Sequence, residues 1–267
     1  MRFLIAVDLE GVNYVTGEPY KGLGKDLPEY EVAVREAERE LNAVTAGLYK
    51  GNASEVFVWD NHGAGNNLDF TRLDARVKQV DLDKPGERMS FAAPLCLDGI
   101  VLLGYHAKEG TPDAVLAHSY NSSSIQYYKW NGRQIGEIGL DIFIAGSLGI
   151  PPVLVISDDK GCAEAKAISD DIVTVVTKFG MGRNKAYFKT DALYDELRTA
   201  AECAAQRPHK TIEPLFPAQL EIRYTRTEQA EKVKSSMHKR GILAAYGEDA
   251  HILCVRLTDI KQMKLFL

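Results

Sequence analysis

Three short apolar runs, at residues 3–7, 55–60 and 99–105, each stop at a residue type that binds metals or moves protons. The first is closed by Asp8, the second by Asp60-Asn61-His62 and the third by His106. Runs this short and this apolar read as strands buried on both faces. Between the first two, Val34, Ala37, Leu41, Val44 and Leu48 recur at steps of three and four. That is one face of an amphipathic helix, with Gly51 as its stop. Further strands are expected at 152–156 and 172–177, and helices at 138–148, 162–168 and 190–206. Strands alternating with helices predict an α/β fold with a mostly parallel sheet flanked by helices. In such open sheets ligands bind beyond the carboxyl ends of the strands. The residues closing the three runs are therefore candidates for one site.

The rest of the chain divides on polarity. Residues 13–28 hold Gly17, Pro19, Gly22, Gly24 and Pro28 and read as a long loop. Residues 125–130, followed by Asn131-Gly132, read as one arm of a hairpin. Around Arg207-Pro208 the sequence turns polar, and Pro214 and Pro217 follow. A boundary there makes residues 1–208 a metal-binding catalytic α/β domain. Residues 209–267 then form a small C-terminal α+β domain, with strands at 219–224 and 251–257 around a helix at 227–239.

Composition narrows the function classes. Charged residues make up 26% and the net charge is −5, which argues against nucleic acid or an anionic membrane surface as the main partner. No run is long enough to span a bilayer, and the N-terminal apolar run is too short for a signal peptide. Cys96, Cys162, Cys203 and Cys254 form no C-x-x-C pair. They read as mostly buried free thiols in a reducing cytoplasm.

Asp8 and Glu10 are two apart on an extended chain, so their carboxylates point to one side. Paired carboxylates repel and are costly to bury unless a cation lies between them. Taken alone they are as readily two acids at a solvated strand end. His62, His106 and His118 are each explicable singly as loop or buried polar residues. Glu137 is explicable as an acid favoured by the dipole of the helix it opens. Together they make a mixed imidazole and carboxylate set, which suits zinc and also manganese or iron. Two metals would share a bridging carboxylate, for which Asp8 or Glu10 serves. Such pairs polarise a carbonyl or phosphoryl oxygen and activate water. No H-E-x-x-H occurs, so the helix-borne zinc peptidase arrangement is excluded. Asp158-Asp159 and Arg183 read first as structural, and His209, His238 and His251 as surface residues.

Five segments carry a resemblance: Val7-Asp8-Leu9-Glu10-Gly11, Asp60-Asn61-His62 with Asn66-Asn67-Leu68, Leu103-Gly104-Tyr105-His106-Ala107, Ala117-His118-Ser119, and Gly136-Glu137-Ile138-Gly139-Leu140. In order and spacing the chain resembles the self-compartmentalising zinc D-aminopeptidases, the DppA-like family. The resemblance implies that Asp8 bridges two zinc ions. It implies Glu10 and His106 on one ion, His62 and Glu137 on the other, and His118 as the catalytic histidine. It also implies short peptides as substrates, cleaved from the N-terminus, and a homodecamer of two stacked five-membered rings. The spacing of His106 and His118 and the loop at 13–28 depart from the family pattern.

The alternative is a magnesium-dependent phosphohydrolase of the haloacid dehalogenase type. Asp8-Leu9-Glu10-Gly11 and Ser157-Asp158-Asp159 partly imitate its motifs, although Glu10 stands where an Asp is required. A two-metal exonuclease shares the strand-end Asp-x-Glu but conflicts with the acidic charge.

Overall fold

The computed structural model describes residues 1–19, 21–80 and 88–266. Its first half runs β1 (Arg2–Val7), α1 (Pro28–Lys50), β2 (Glu55–Asp60), β3 (Val77–Gln79), β4 (Gly99–Tyr105), β5 (Ile125–Trp130) and β6 (Arg133–Ile135). Next come α2 (Glu137–Ser147), β7 (Pro152–Ser157), α3 (Asp159–Ile168), β8 (Val173–Val176), β9 (Lys178–Gly180) and β10 (Ala186–Phe188). The chain closes with α4 (Ala192–Gln206), β11 (Ala218–Tyr224), α5 (Thr227–Lys239), β12 (Ala244–Tyr246) and β13 (Ile252–Leu257).

Six parallel strands form the main sheet in the order β3-β2-β1-β4-β7-β8. Both faces are covered, and the alternation along β1 shows how. Phe3, Ile5 and Val7 enter one core with Leu41, Val44 and Leu48 of α1 and Leu193, Leu197 and Ala201 of α4. Leu4 and Ala6 enter the other core, with Ile138 and Ile142 of α2 and with Tyr128, Leu220 and Leu253 of a second sheet. Burial on both faces is why these strands are apolar throughout rather than alternating. α1 starts earlier than its apolar stripe. Pro28 occupies its first turn, where the missing N–H costs nothing, and Glu29 and Glu31 favour the same end.

The second sheet is antiparallel, in the order β12-β13-β11-β5-β6. Asn131 and Gly132 turn its β5–β6 hairpin with φ of 49° and 81°, the positive pair such a two-residue turn demands. The tail strands β11 and β13 pair with each other, and β11 also pairs with β5. A cut at residue 208 therefore runs through one sheet and one core. The cysteines are less buried than expected: Cys162 is buried and Cys254 half-buried, while Cys96 and Cys203 are exposed, and all four are unpaired. No helix among the described residues is long and apolar enough to cross a membrane.

Candidate metal centre

The strand order β2-β1-β4 puts the three candidate strand ends side by side. Val7 is in register with Asp60 on one flank and Leu103 on the other, so Asp8, His62 and His106 leave the sheet at one edge. Two glycines let the strands close further. A Cβ on Gly11 would fall 1.8 Å from the Tyr105 carbonyl oxygen, and one on Gly104 (φ +72°) 2.1 Å from the Asp8 carbonyl oxygen. The Gly11 N–H donates to the Gly104 carbonyl at 2.6 Å.

Asp8 lies at the centre. Its Oδ1 is 3.0 Å from His62 Nδ1, and its Oδ2 is 3.8 Å from His106 Nε2. His62 Nδ1 is also 3.1 Å from Glu10 Oε2, and His106 Nε2 is 3.3 Å from Glu137 Oε1. His118 stacks on His106 with ring centroids 4.0 Å apart, and its Nε2 is 3.9 Å from Glu137 Oε1. All six residues singled out in the sequence thus meet. Two groups have donor atoms within 4.8 Å of one another, Asp8 with Glu10 and His106, and His106 with His118 and Glu137. His62 arrives from the β2 side of Asp8 and His106 from the β4 side, where α2 packs and presents Glu137.

Two buried atoms test whether this set fits a metal. His106 Nε2 and Glu137 Oε1 both lack a hydrogen-bond partner among the described residues, although they face each other. Orphaned buried acceptors and charges are rare and costly. Donors ~2.1 Å from one zinc at tetrahedral angles stand about 3.4 Å apart. The His106–Glu137 separation of 3.3 Å matches that spacing, while His62 is within hydrogen-bond distance of Asp8 and Glu10. The histidine tautomers agree as well. His106 Nδ1 faces the Ala107 carbonyl at 3.0 Å and His118 Nδ1 the Leu116 carbonyl at 2.7 Å. A carbonyl only accepts, so each Nδ1 carries a hydrogen and Nε2 is the ring nitrogen turned toward the site.

The electrostatics describe a cluster short of positive charge. Burial and then the Glu10 charge push the Asp8 carboxyl up to about 7. Burial works to lower His62, but Glu10 and Asp8 outweigh it and raise the imidazole to about 11. His106 is raised to about 10, its burial outweighed chiefly by Glu137. His118 moves the other way, lowered by burial and by the charge of His106.

Around these residues stands a supporting layer. Asp60 accepts from the N–H groups of Asn67 and Leu68 and so folds the loop carrying His62. Glu164 accepts from the N–H groups of Lys108 and Gly136, neighbours of His106 and Glu137. The Asp158 carboxylate caps α3 and accepts from the Val115 N–H, upstream of His118. Lys178 is fully buried and donates to the carbonyls of Glu10, Val12 and Val15 at 2.6–2.7 Å. Arg183, expected to be structural, holds the Ala117 carbonyl at 2.8 Å. Of these, Asp60, Asp158 and Arg183 were named in the sequence, and Glu164 and Lys178 were not.

Buried imidazole and carboxylate donors converging beyond the carboxyl edge of a parallel sheet define a site of the metal-dependent hydrolase class. Residues 1–240 match the peptidase family M55, described as D-aminopeptidase, and the chain belongs to that family. It is 27% identical over 234 residues to the D-aminopeptidase of Bacillus subtilis (strain 168), covering 86% of this chain and 84% of that protein. Its fold is similar to that of the Zn-dependent D-aminopeptidase DppA from Bacillus subtilis, a self-compartmentalizing protease. The TM-score is 0.85 at 22% identity, over 99% of this chain and 94% of the other. The haloacid dehalogenase alternative is not supported. Beyond the family match, its supposed late motif is engaged elsewhere, Asp158 as a helix cap and Asp159 with the Gly180 N–H.

Proposed function

We propose that the chain is a dinuclear zinc aminopeptidase that hydrolyses short peptides from the N-terminus, D-residue-containing ones among them. The observation that carries this is the orphaned, facing pair of His106 Nε2 and Glu137 Oε1 beside the Asp8-Glu10-His62 cluster, in a D-aminopeptidase family member. Asp8 would lie between the two ions, Glu10 and His106 would complete one, and His62 and Glu137 the other, with donor atoms of Asp8, Glu10 and His106 already within 4.8 Å of one another. When bound, zinc supplies a Lewis acid for the peptide carbonyl and lowers the pKa of the attacking water. His118 contributes the proton chemistry. Its depressed pKa keeps the imidazole neutral near pH 7, and its Nε2 lone pair faces the site. It takes a proton from water there and returns it to the departing amine.

The relative is a self-compartmentalizing protease, which supports a closed homo-oligomer here; the proposed form is a decamer of two five-membered rings. The exposed Phe179, Met181 and Tyr187 on and beside the β9–β10 ribbon offer an apolar surface of the kind subunit contacts cover. Sedimentation of the purified chain as a monomer would remove the ring assembly. The unpaired cysteines favour a cytoplasmic setting.

Elemental analysis combined with a panel of D- and L-dipeptides tests the activity. Wild type should carry about two zinc ions per chain, and His106→Ala should lose about one or more of them. Absence of tightly held zinc together with no turnover across the panel would sink the proposal.

A further inference from the structure

Beneath the site lies a buried polar hub that the chemistry so far does not use. Asp141 sits one helical turn after Glu137 on α2 and is fully buried. Its two oxygens accept four hydrogen bonds. Arg88 Nε and Nη2 donate at 2.6 Å each, Tyr105 Oη at 2.6 Å and Tyr120 Oη at 2.7 Å. The Arg88 guanidinium is stacked between Trp59 and Tyr120, 4.8 and 4.5 Å from their ring centroids. Tyr105 Oη in turn accepts from Asn61 Nδ2 at 2.8 Å.

Each member adjoins a residue of the metal cluster. Asn61 precedes His62, Tyr105 precedes His106, Tyr120 follows His118 by two residues, and Asp141 follows Glu137 on one helix face. A lone buried carboxylate is strongly unfavourable, and a bidentate guanidinium is the partner that satisfies it while fixing its plane. With that plane fixed, the hydroxyls of Tyr105 and Tyr120 have one position each. The segments bearing His62, His106, His118 and Glu137 are thereby tied to a single point.

We propose that Asp141, clamped by Arg88, is a positioning residue that holds these four segments in register through Tyr105 and Tyr120 and so sets the zinc affinity of the site. This rests on the two-zinc reading above and goes beyond it by naming what keeps the donors within reach of a common ion. Partners of this kind are worth about 10–100-fold in metal affinity.

The test is chelator competition for zinc, with cobalt substitution as a spectroscopic readout, on the full-length chain. Tyr105→Phe and Tyr120→Phe remove only hydroxyls, so they keep the fold where Asp141→Asn, which strands Arg88, fails to. Each should weaken zinc about tenfold and shift the cobalt ligand-field bands, with unchanged far-ultraviolet circular dichroism. Because both act through one carboxylate, the double variant should lose less than the product of the two single losses. Tyr194→Phe removes a hydroxyl bond to Glu36, remote from the hub, and should leave zinc affinity unchanged. Zinc affinities within twofold of wild type in both tyrosine variants, with unaltered cobalt spectra, would overturn the proposal even if their thermal stability falls. So would strictly multiplicative losses in the double variant. A wild-type chain that takes up no zinc would overturn the two-zinc reading and this inference with it.

Discussion

His118 and His106 are stacked imidazoles in different surroundings, and on the proposed reading they take different roles. His106 has Nε2 buried between the carboxylates of Asp8 and Glu137. His118 stands at the margin, half-buried, with Glu137 Oε1 3.9 Å from its Nε2. His118→Ala should therefore cut turnover by about 10²–10⁴-fold while zinc content holds. Loss of zinc from that variant would make His118 a ligand instead. Glu40 gives a residue-scale prediction about stability. It is fully buried, its Oε1 accepts from the Asn13 N–H, and its Oε2 has no partner among the described residues. Burial raises its pKa to about 8. Since the native carboxyl holds its proton up to that point and the unfolded one does not, its contribution is complete below about pH 4.3. That contribution is lost as pH climbs toward 8. Glu40→Gln keeps the Asn13 bond and removes the titration. It should stabilise the fold above pH 8 by roughly 2–4 kcal/mol and leave it near wild type at pH 4. Equal denaturation midpoints for the two proteins at pH 9 would contradict this.

At the scale of elements, the segment after β1 is an irregular stretch held down from outside. Lys178 opens β9, and its ammonium donates three hydrogen bonds to carbonyls of that segment. Beside it, Thr177 Oγ1 donates to the Gly11 carbonyl at 2.5 Å. Glu10 thus sits on a loop clamped by the start of the ribbon. Lys178→Met leaves three buried carbonyls without donors, at about 1–3 kcal/mol each. Denaturant titration should show a loss of at least about 3 kcal/mol. A loss under about 1 kcal/mol would mean that water replaces the ammonium freely. The elements themselves were legible to differing degrees. The strands with doubly buried faces and the amphipathic stripe of α1 announce themselves because burial dictates residue type at every position. The short β3, β6, β9, β10 and β12 do not, since three residues hold too little pattern to carry a period.

For the whole molecule, the site was legible because its donors lie at strand ends, where topology alone brings them together. Asp8, His62 and His106 share an edge for no reason beyond the order β2-β1-β4. The hub around Asp141 and the clamp from Lys178 were not legible. They join residues 21 to 168 positions apart, and such pairings are visible only once the layers are packed. The tail was half legible. Its strands β11 and β13 were placed, but the partner of β11, β5, lies some ninety residues upstream, and local composition carries no trace of it. A two-metal centre bridged by Asp8 would show itself in an anomalous difference map from a crystal at the zinc absorption edge. Two peaks about 3.5–4 Å apart are expected on either side of Asp8, among Glu10, His62, His106 and Glu137. A single peak, or a second one held by His118 in place of Glu137, would contradict it.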